Sequence, residues 1–302
     1  MPRVSILLTC YNHLKYLPDC LESVRKQTFQ DYEVIALDDG STDSTREWLT
    51  QQEDVRRIFN EKNLGTYATL NVGLENASGE YIAVLNDDDL WAPEKLARQV
   101  EVLDNSPKVG FVHTGGWFID GEGKRIADPE PLGFPFPRTI TGDLYPTLID
   151  HNQMITSSLL VRAEAFEKCG PFDPEFYGCG DWQMWLRLAK HYDGAFVDAD
   201  LTFYRVHGAN AFLNTEKMNA DSRRIREWLA LEESNNDLNR EGLADAFAHN
   251  WACLGTERAW NGDMAGARGA YKQAIKRRPE RWKTYIRYLA TFGGRKLFRR
   301  LN

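Results

Sequence analysis

The chain opens with short apolar runs that alternate with segments whose apolar residues recur every three to four positions. Val4–Thr9, Tyr32–Leu37 and Tyr81–Leu85 are typical of buried strands, whereas Tyr16–Gln27 and Pro93–Asp104 have the spacing of amphipathic helices. Strands that alternate with helices predict an α/β fold whose sheet has a parallel core. In such sheets, ligands bind at the carboxyl ends of the strands.

The same reading predicts further elements along the chain. They are helices over 44–52, 67–75, 164–168 and 181–191, and strands over 55–59, 109–119, 157–162, 195–198 and 201–206. From about Asn214 the pattern becomes wholly helical, which indicates a domain boundary. We therefore expect one domain over residues 1–213 and a small all-α region over residues 214–302.

Three polar clusters follow predicted strands directly: Thr9–Asn12, Asp38–Ser41 and the aspartate triplet Asp87–Asp89. Three crowded carboxylates repel one another, and a hard divalent cation is the usual relief. Taken alone, the triplet would more often be a solvated acidic turn. Because all three clusters lie at strand ends, the sequence favours a metal and phosphate site at one edge of the sheet.

Cysteine use and hydropathy limit the class of protein. The five cysteines are scattered, without the spacing of a zinc site, which predicts reduced thiols in a cytosolic protein. The first apolar run, Val4–Leu8, is too short for a signal peptide, and no apolar stretch approaches membrane-spanning length. We therefore expect a cytoplasmic protein.

The net charge of −7 hides a strong asymmetry. From Met264 onward the chain carries 12 Lys/Arg and one acidic residue, Glu280, so this part carries +11 and the remainder −18. An acidic body with a basic tail suggests two different partners. The alternative is a set of solvated helix faces. The acidic body argues against nucleic acid as a partner.

Several motifs occur together in one order along the chain. They occupy 4–12, 23–28, 37–43, 63–65, 77–82, 85–96, 180–188 and 204–210. In these segments the chain resembles the family 2 glycosyltransferases, inverting enzymes of the GT-A fold. The resemblance covers roughly Pro2–Ala211 and implies a Rossmann-like, mostly parallel mixed sheet. It also implies transfer of a sugar from a nucleotide-diphosphate sugar to a hydroxyl acceptor, such as a carbohydrate or a lipid-linked acceptor, in bacterial polysaccharide or glycoconjugate assembly.

The resemblance assigns roles around the nucleotide. Asp88 would be the main ligand of Mn²⁺ or Mg²⁺, and Asp87 would contact the ribose or the metal. Asp39 would accept a hydrogen bond from a uracil-type ring, with Thr9 and Tyr11 on either side. These roles favour a UDP-sugar, with a dTDP-sugar as the second choice. The metal would neutralise the diphosphate leaving group.

The resemblance also implies a catalytic base, Asp181, which would deprotonate the acceptor hydroxyl. The alternative for Asp181 is the N-cap of a helix. His207 would be a metal or diphosphate contact, or else a structural histidine. The chain departs from the family in two places: Gly180 stands where a Glu often precedes the base, and Leu70 where many relatives carry Arg.

The C-terminal region resembles a single tetratricopeptide repeat. The matching positions are Trp251, Leu254, Gly255, Ala267, Tyr271, Ala274 and Pro279. One repeat cannot bury its own apolar face, so it should dock on other helices, on the catalytic domain or on a second subunit. Its basic face is interpreted either as an oligomerisation module or as a peripheral contact with the inner face of the membrane. That contact would use the apolar side chains Phe292, Leu297, Phe298 and Leu301 among four cations.

Two further functions remain open at this point. A nucleotidyltransferase could use a similar sheet, but it would need a Gly-rich, basic loop near the N-terminus to bind phosphate. The segment Thr9–His13 has no such composition. A non-catalytic binding protein could use the helical repeat, but it predicts damaged acidic motifs. Asp39, Asp88 and Asp181 are all present.

Overall fold

The computed structural model describes residues 1–127, 135–236, 242–295 and 298. The chain forms two compact units, one of residues 1–144 with 153–214 and one of residues 145–152 with 215–302. The predicted boundary at residue 213 assigned residues 145–152 to the first domain, whereas they belong to the second unit. The apolar pattern of a single six-residue helix is too short to predict which unit it packs with. The assignment of domains to 1–213 and 214–302 stays a prediction.

The larger unit is built on an eight-stranded sheet. Its strands are β1 (Val4–Cys10), β2 (Tyr32–Asp38), β3 (Arg56–Phe59), β4 (Tyr81–Asn86), β5 (Leu90–Trp91), β6 (Val109–Ile119), β7 (Leu160–Arg162) and β8 (Asp193–Arg205). They lie in the order β3-β2-β1-β4-β7-β6-β8-β5. The pairs β3-β2, β2-β1, β1-β4 and β6-β8 are parallel, and those of β7 and β5 with their neighbours are antiparallel. The predicted α/β fold with a parallel core is confirmed.

Helices connect these strands. They are α1 (Leu17–Arg25), α2 (Thr45–Thr50), α3 (Thr66–Asn76), α4 (Lys95–Asn105), α6 (Ala163–Cys169) and α7 (Gly180–Ala189); α5 (Tyr145–Asp150) belongs to the other unit. The side chains of the central strand β1 are buried almost throughout because helices cover both faces of the sheet there. Ile6 and Leu8 share a core cluster with Leu21 of α1, and Leu7 on the other face lies against Gly73 of α3. A strand covered on both faces reads as a continuous apolar run.

The two strands predicted over 195–198 and 201–206 are one strand, β8. The polar stretch Asp198–Asp200 interrupts the apolar pattern and suggested a break. In the structure the pairing with β6 shifts register there, from Thr114 opposite Val197 to Gly115 opposite Asp200. A β-bulge thus absorbs the polar residues while the strand continues.

The smaller unit is helical. Besides α5 it contains α8 (Thr215–Glu232), α9 (Leu243–Trp260), α10 (Met264–Arg277) and α11 (Trp282–Ala290). Gly255 of α9 lies against the ring of Tyr271 on α10, where an added Cβ would come within 3.0 Å of a ring carbon. Among the described residues, no helix is both long and apolar enough to cross a membrane. The resemblance to a tetratricopeptide repeat stays a prediction.

Phe298 contradicts the predicted interfacial segment. It is fully buried, in one apolar cluster with Ala259, Ala267, Tyr271 and Ala290, because this small unit needs a large side chain to close its core. Phe298 therefore cannot reach a membrane while the unit is folded. Leu297 and Leu301 of that segment lie outside the described residues.

An ion pair between His249 and Asp150 makes the stability of the helical unit depend on pH. Asp150 accepts a hydrogen bond from His249 Nε2 at 2.7 Å, and Cys253 Sγ lies 3.0 Å from the same nitrogen. Asp150, and then Cys253, raise the pKa of His249 from 6.5 to about 9. The stabilisation is therefore complete below pH 6.5 and is lost as the pH rises through about 9.

We expect His249→Gln to lower the thermal unfolding midpoint at neutral pH but not above the folded-state pKa of His249. Circular dichroism across this pH range measures the difference between wild type and variant. Asp150→Asn removes the same pair from the other side, together with the contact of Asp150 with His151 at 2.9 Å, and it should also destabilise the protein more at neutral pH than above pH 9. Curves that run parallel at every pH would contradict the assignment.

Candidate functional site

The three polar clusters meet at one edge of the sheet. In the register of β1, Cys10 lies beside Asp38 at the end of β2, and Thr9 lies beside Asn86 at the end of β4. The loops that leave these strands are therefore neighbours, as expected for parallel strands. Thr9 Oγ1 also lies 3.2 Å from Asn86 Oδ1. This edge is the candidate active site.

Asp87 is fixed by the loop after β1. One carboxylate oxygen accepts from Tyr11 N at 3.0 Å, and the other lies 2.8 Å from His13 Nδ1. Burial is the largest single effect and opposes the charge of the imidazole, but the bond to Asp87 and the negative charges of Asp87, Asp88 and Asp43 together outweigh it and raise the pKa of His13. The Tyr11 ring is 42% exposed, which leaves it accessible to a flat ligand.

Asp88 faces a second histidine. His207 Nε2 lies 2.9 Å from Asp88 Oδ2, and Asn210 Nδ2 lies 3.4 Å from the same oxygen. Among the described residues, His13, Asp88 and His207 form the one group of three whose ligand atoms all lie within 4.8 Å of one another. Two imidazoles and a carboxylate fit a divalent metal. The nitrogen ligands favour a transition metal over Mg²⁺, which prefers an all-oxygen shell.

Asp89 has a different environment and is fully buried. Its carboxylate accepts from Ser157 Oγ and from Arg205 N, the latter at 2.9 Å. Burial and then the neighbouring Asp88 raise the pKa of Asp89 well above its usual range. Asp89 therefore holds the loop in shape.

Arg205 is a resident cation beside the triplet. Its Nε donates to Asp88 O at 2.7 Å, and its guanidinium lies 4.8 Å from the centre of the Tyr16 ring. The Tyr16 ring in turn lies 4.9 Å from that of His207. The crowded carboxylates predicted a metal as their neighbour. The structure adds a buried arginine beside the triplet, whose guanidinium binds backbone carbonyls and whose main-chain N–H donates to Asp89.

Asp39 clamps the loop after β3. It accepts from Leu64 N at 2.7 Å, Gly65 N at 2.9 Å and Asn60 Nδ2 at 3.1 Å. Three of about four acceptor positions of the carboxylate are therefore used by the protein itself. The next residue, Gly40, has φ of 75°, and an added Cβ would lie 2.6 Å from a backbone nitrogen, so only glycine fits this turn.

Asn12 joins the loops after β1 and β2. It adopts a left-handed conformation with φ of 55°, and its Oδ1 accepts from Thr42 N at 2.7 Å. Its own N–H donates to Ser41 Oγ at 3.0 Å. This bridge keeps the loop that carries Tyr11 and His13 against the end of β2.

Asp181 lies in the first turn of α7. The N-cap of that helix is Cys179, so the geometry does not support the alternative reading of Asp181 as the cap. Its carboxylate accepts from Thr156 Oγ1 at 2.8 Å and from Trp182 N at 2.6 Å. The flanking indoles of Trp182 and Trp185 are buried, which is their core interpretation.

Tyr204 interacts electrostatically with both Asp181 and the aspartate triplet. Burial raises the pKa of the Tyr204 phenol well above its usual range, and the carboxylates of Asp89, Asp88 and Asp181 add to that effect in this order. One buried phenol therefore lies within electrostatic range of both parts of the site.

Two departures from the expected motifs have structural reasons. A Cβ on Gly180 would lie 2.7 Å from the ring of Tyr67, so that ring fills the space of the absent carboxylate. Leu70 is fully buried, and the neighbouring Asn71 bonds the backbone of Phe172 in both directions at 2.8 and 2.9 Å. Asn71 thus holds the backbone of Phe172 in place.

Four residues of the site were not predicted from the sequence to belong to it: His13, Tyr16, Arg205 and Asn210. His13 directly follows the polar cluster after β1, and this position could have predicted that it lies at the site. The segment Thr9–His13 was considered only as a phosphate-binding loop. Asn210 stands three residues after His207 in a segment already singled out. Arg205 stands in the same segment, but its role could not be inferred there, because the hydrogen-bond partners of its guanidinium are more than eighty residues away.

Comparison with known proteins identifies the family and the fold. The profile of the family described as "Glycosyl transferase family 2" matches residues 5–168. An uncharacterized glycosyltransferase of Nostoc sp. is 31% identical over 248 residues, 78% of this chain and 74% of that protein. One of Methanocaldococcus jannaschii is 28% identical, over 72% of this chain and 75% of that protein.

Solved structures share the fold at low sequence identity. Staphylococcus aureus TarS 1–349 in complex with UDP-GlcNAc has a TM-score of 0.67 and 18% identity, over 92% of this chain and 82% of that one. The mannosyltransferase PcManGT of Pyrobaculum calidifontis, in complex with GDP-Man and Mn²⁺, has a TM-score of 0.58 and 19% identity, over 91% of this chain and 75% of that one. The expected GT-A fold is confirmed.

With a family profile that spans more than half of its length and a relative that is 31% identical over most of both chains, this protein belongs to glycosyl transferase family 2.

Proposed function

We propose that the protein is a metal-dependent, inverting glycosyltransferase that moves a sugar from a UDP-sugar to a hydroxyl acceptor. A dTDP-sugar is the second choice of sugar donor, and the acceptor would belong to polysaccharide or glycoconjugate assembly. The observation that carries the proposal is the group of His13, Asp88 and His207 at the carboxyl ends of the strands. Membership of the glycosyltransferase family disfavours both a nucleotidyltransferase and a non-catalytic repeat protein.

The metal would be held by Asp88 and His207, with His13 as a third ligand. When bound, it would neutralise the charge that develops on the diphosphate leaving group. Asp87 would bind the ribose or the metal, and the bonds to Tyr11 N and His13 hold its carboxylate in one orientation. A histidine ligand commonly donates its other ring N–H to a carboxylate, so the bond of His13 to Asp87 and a place at the metal can coexist.

Asp181 would act as the base. Its carboxylate would take the proton of the acceptor hydroxyl while the oxygen attacks the anomeric carbon, on the face opposite the leaving nucleotide. Thr156 Oγ1 and Trp182 N donate to the carboxylate and fix its orientation. The fixed orientation lowers the cost of aligning the base with the acceptor.

A uracil ring is the base that the edge near Asp39 favours. Asp39 keeps about one acceptor position after its three bonds to the protein, enough for one N–H of a pyrimidine ring. Thr9 and Tyr11 lie on the adjoining loop. TarS, a relative in fold, has been solved with UDP-GlcNAc, which is compatible with this choice.

Thermal shift with a panel of nucleotide diphosphates tests the proposal. We expect UDP with Mn²⁺ to raise the unfolding midpoint more than UDP alone, since a ligand present at 100 times its Kd adds about 2.7 kcal/mol. GDP with Mn²⁺ should shift it less, and dTDP should fall between them. If no nucleotide stabilises the protein in a metal-dependent way, the proposed chemistry is wrong.

The partners of the helical region also belong to the proposal. They are a carbohydrate or lipid-linked acceptor, a second subunit and a peripheral contact with the inner face of the membrane. Because Phe298 is buried, the last residues of the chain are a poor choice for that membrane contact.

A further inference from the structure

The outer face of α11 is a stripe of exposed, large apolar side chains. The exposed fractions are 63% for Trp282, 39% for Tyr285, 46% for Ile286, 63% for Leu289 and 64% for Phe292, which follows α11 in a short 3₁₀ turn. Their spacing of three and four residues places them on one side of the helix. Folded proteins seldom leave a contiguous patch of this kind uncovered unless it binds something.

The opposite side of the same helix already closes the helical unit. Thr284, Ala290 and Thr291 are buried, and Tyr288 packs against the cluster that contains Tyr271 and Phe298. The outer face therefore has no part in the core of this unit. Its apolar character needs another explanation than folding.

The charged residues along α11 itself are positive, and Glu280, just before the helix, pairs with Arg278. Lys283 and Arg295 are exposed and Arg287 is half-buried, and no acidic residue occurs between Arg281 and Arg295. On the preceding helix, Lys272 and Lys276 are also exposed. An apolar stripe with cations on its flanks is complementary to a surface that is apolar below and negative at its border.

We propose that the outer face of α11 binds the surface of a bilayer that contains anionic lipids. The helix lies in the plane of the interface. Ile286, Leu289 and Phe292 enter the acyl boundary, and the Trp282 ring lies at the level of the headgroups, where such rings are enriched. The neighbouring lysine and arginine side chains contact lipid phosphates.

A second copy of the chain is a poorer occupant of this face. Two such faces packed about a two-fold axis would bring Lys283, Arg287 and their copies together. The stretch from Arg281 to Arg295 offers no carboxylate to pair with them. Lipid phosphates supply that negative charge, so charge complementarity selects the bilayer.

The inference rests on the membrane contact named among the proposed partners, and it is independent of the proposed sugar transfer. None of the stripe residues belongs to the sugar-transfer site, and vesicle binding needs neither nucleotide nor metal. Failure of vesicle binding would leave the sugar transfer untouched. Failure of the nucleotide experiment would leave the membrane contact untouched.

Flotation of the full-length protein with vesicles tests the inference. Wild type should float with vesicles of phosphatidylcholine and phosphatidylglycerol, and only weakly with phosphatidylcholine alone. The variant Leu289→Ser with Phe292→Ser should lose at least about tenfold in binding, because two large apolar groups no longer leave water. Lys283→Gln with Arg295→Gln should lose about tenfold, and less at high salt.

Leu231→Ser is the matched control, because Leu231 on α8 is 77% exposed but lies outside the stripe; it should float like wild type. Circular dichroism confirms that each variant keeps its fold, as expected for exposed positions. The inference is overturned if wild type does not float with anionic vesicles, or if the Leu289/Phe292 variant floats as wild type does. Sedimentation that shows a dimer lost in that variant would instead assign the face to self-association.

Discussion

Asp181→Asn is expected to slow sugar transfer by about 10²–10⁴-fold while leaving the binding of the nucleotide unchanged. The amide has nearly the shape of the carboxylate and can still accept from Thr156 Oγ1, so the fold around α7 should persist. It cannot take a proton from the acceptor hydroxyl. Single-turnover kinetics with the UDP-sugar measures the first effect, and calorimetric titration with UDP and Mn²⁺ measures the second.

Two controls make the Asp181 experiment decisive. Asp198→Asn removes a carboxylate that is 75% exposed in its side chain and pairs with Arg138, and it should leave transfer near the wild-type rate. Thr156→Val removes one of the bonds that orient Asp181, and kcat should fall about tenfold with KM little changed. An Asp181→Asn variant that transfers sugar at the wild-type rate would refute the assignment of the base.

How much of the site the sequence could predict depended on how local the signal was. The strand ends were readable because β1, β2 and β4 are apolar runs followed at once by polar residues. The parallel pairing then brought those polar residues to one edge by a general rule. The long strand β8 was read as two, because Asp198–Asp200 breaks the period that defines a strand.

The features that could not be predicted are those set by distant partners. The short helix α5 belongs to the helical unit, and six residues carry too little periodicity to reveal that. Phe298 was read as exposed because it stands among cations, but the small core of the unit takes it in. Composition describes the neighbours in sequence, whereas burial depends on the neighbours in space.

The aspartate triplet shows the same limit at the scale of single side chains. In the sequence, Asp87, Asp88 and Asp89 are equivalent carboxylates. Their environments differ because His13, His207 and Arg205 reach them from other loops. The family resemblance proposed roles for Asp87 and Asp88, and the structure supplies the partners through which the three roles can be separated by experiment.

Asp88→Ala and Asp89→Ala are expected to have opposite effects. Asp88→Ala removes one of the three candidate metal ligands, so Mn²⁺-dependent binding of UDP should weaken by at least about 100-fold. Its stability should change by no more than about 1 kcal/mol, because the lost bond to His207 is offset by weaker repulsion among the remaining carboxylates.

Asp89→Ala should lower the free energy of unfolding by about 2–4 kcal/mol, because Ser157 Oγ and Arg205 N lose a buried acceptor. In the fraction that remains folded, metal binding should persist, since Asp89 is not one of the candidate ligands. Calorimetric titration with UDP and Mn²⁺, together with chemical denaturation, measures both quantities in both variants. If Asp89→Ala lost metal binding without losing stability, the metal would have to be reassigned to Asp89, because an effect transmitted through the loop would also lower the free energy of unfolding.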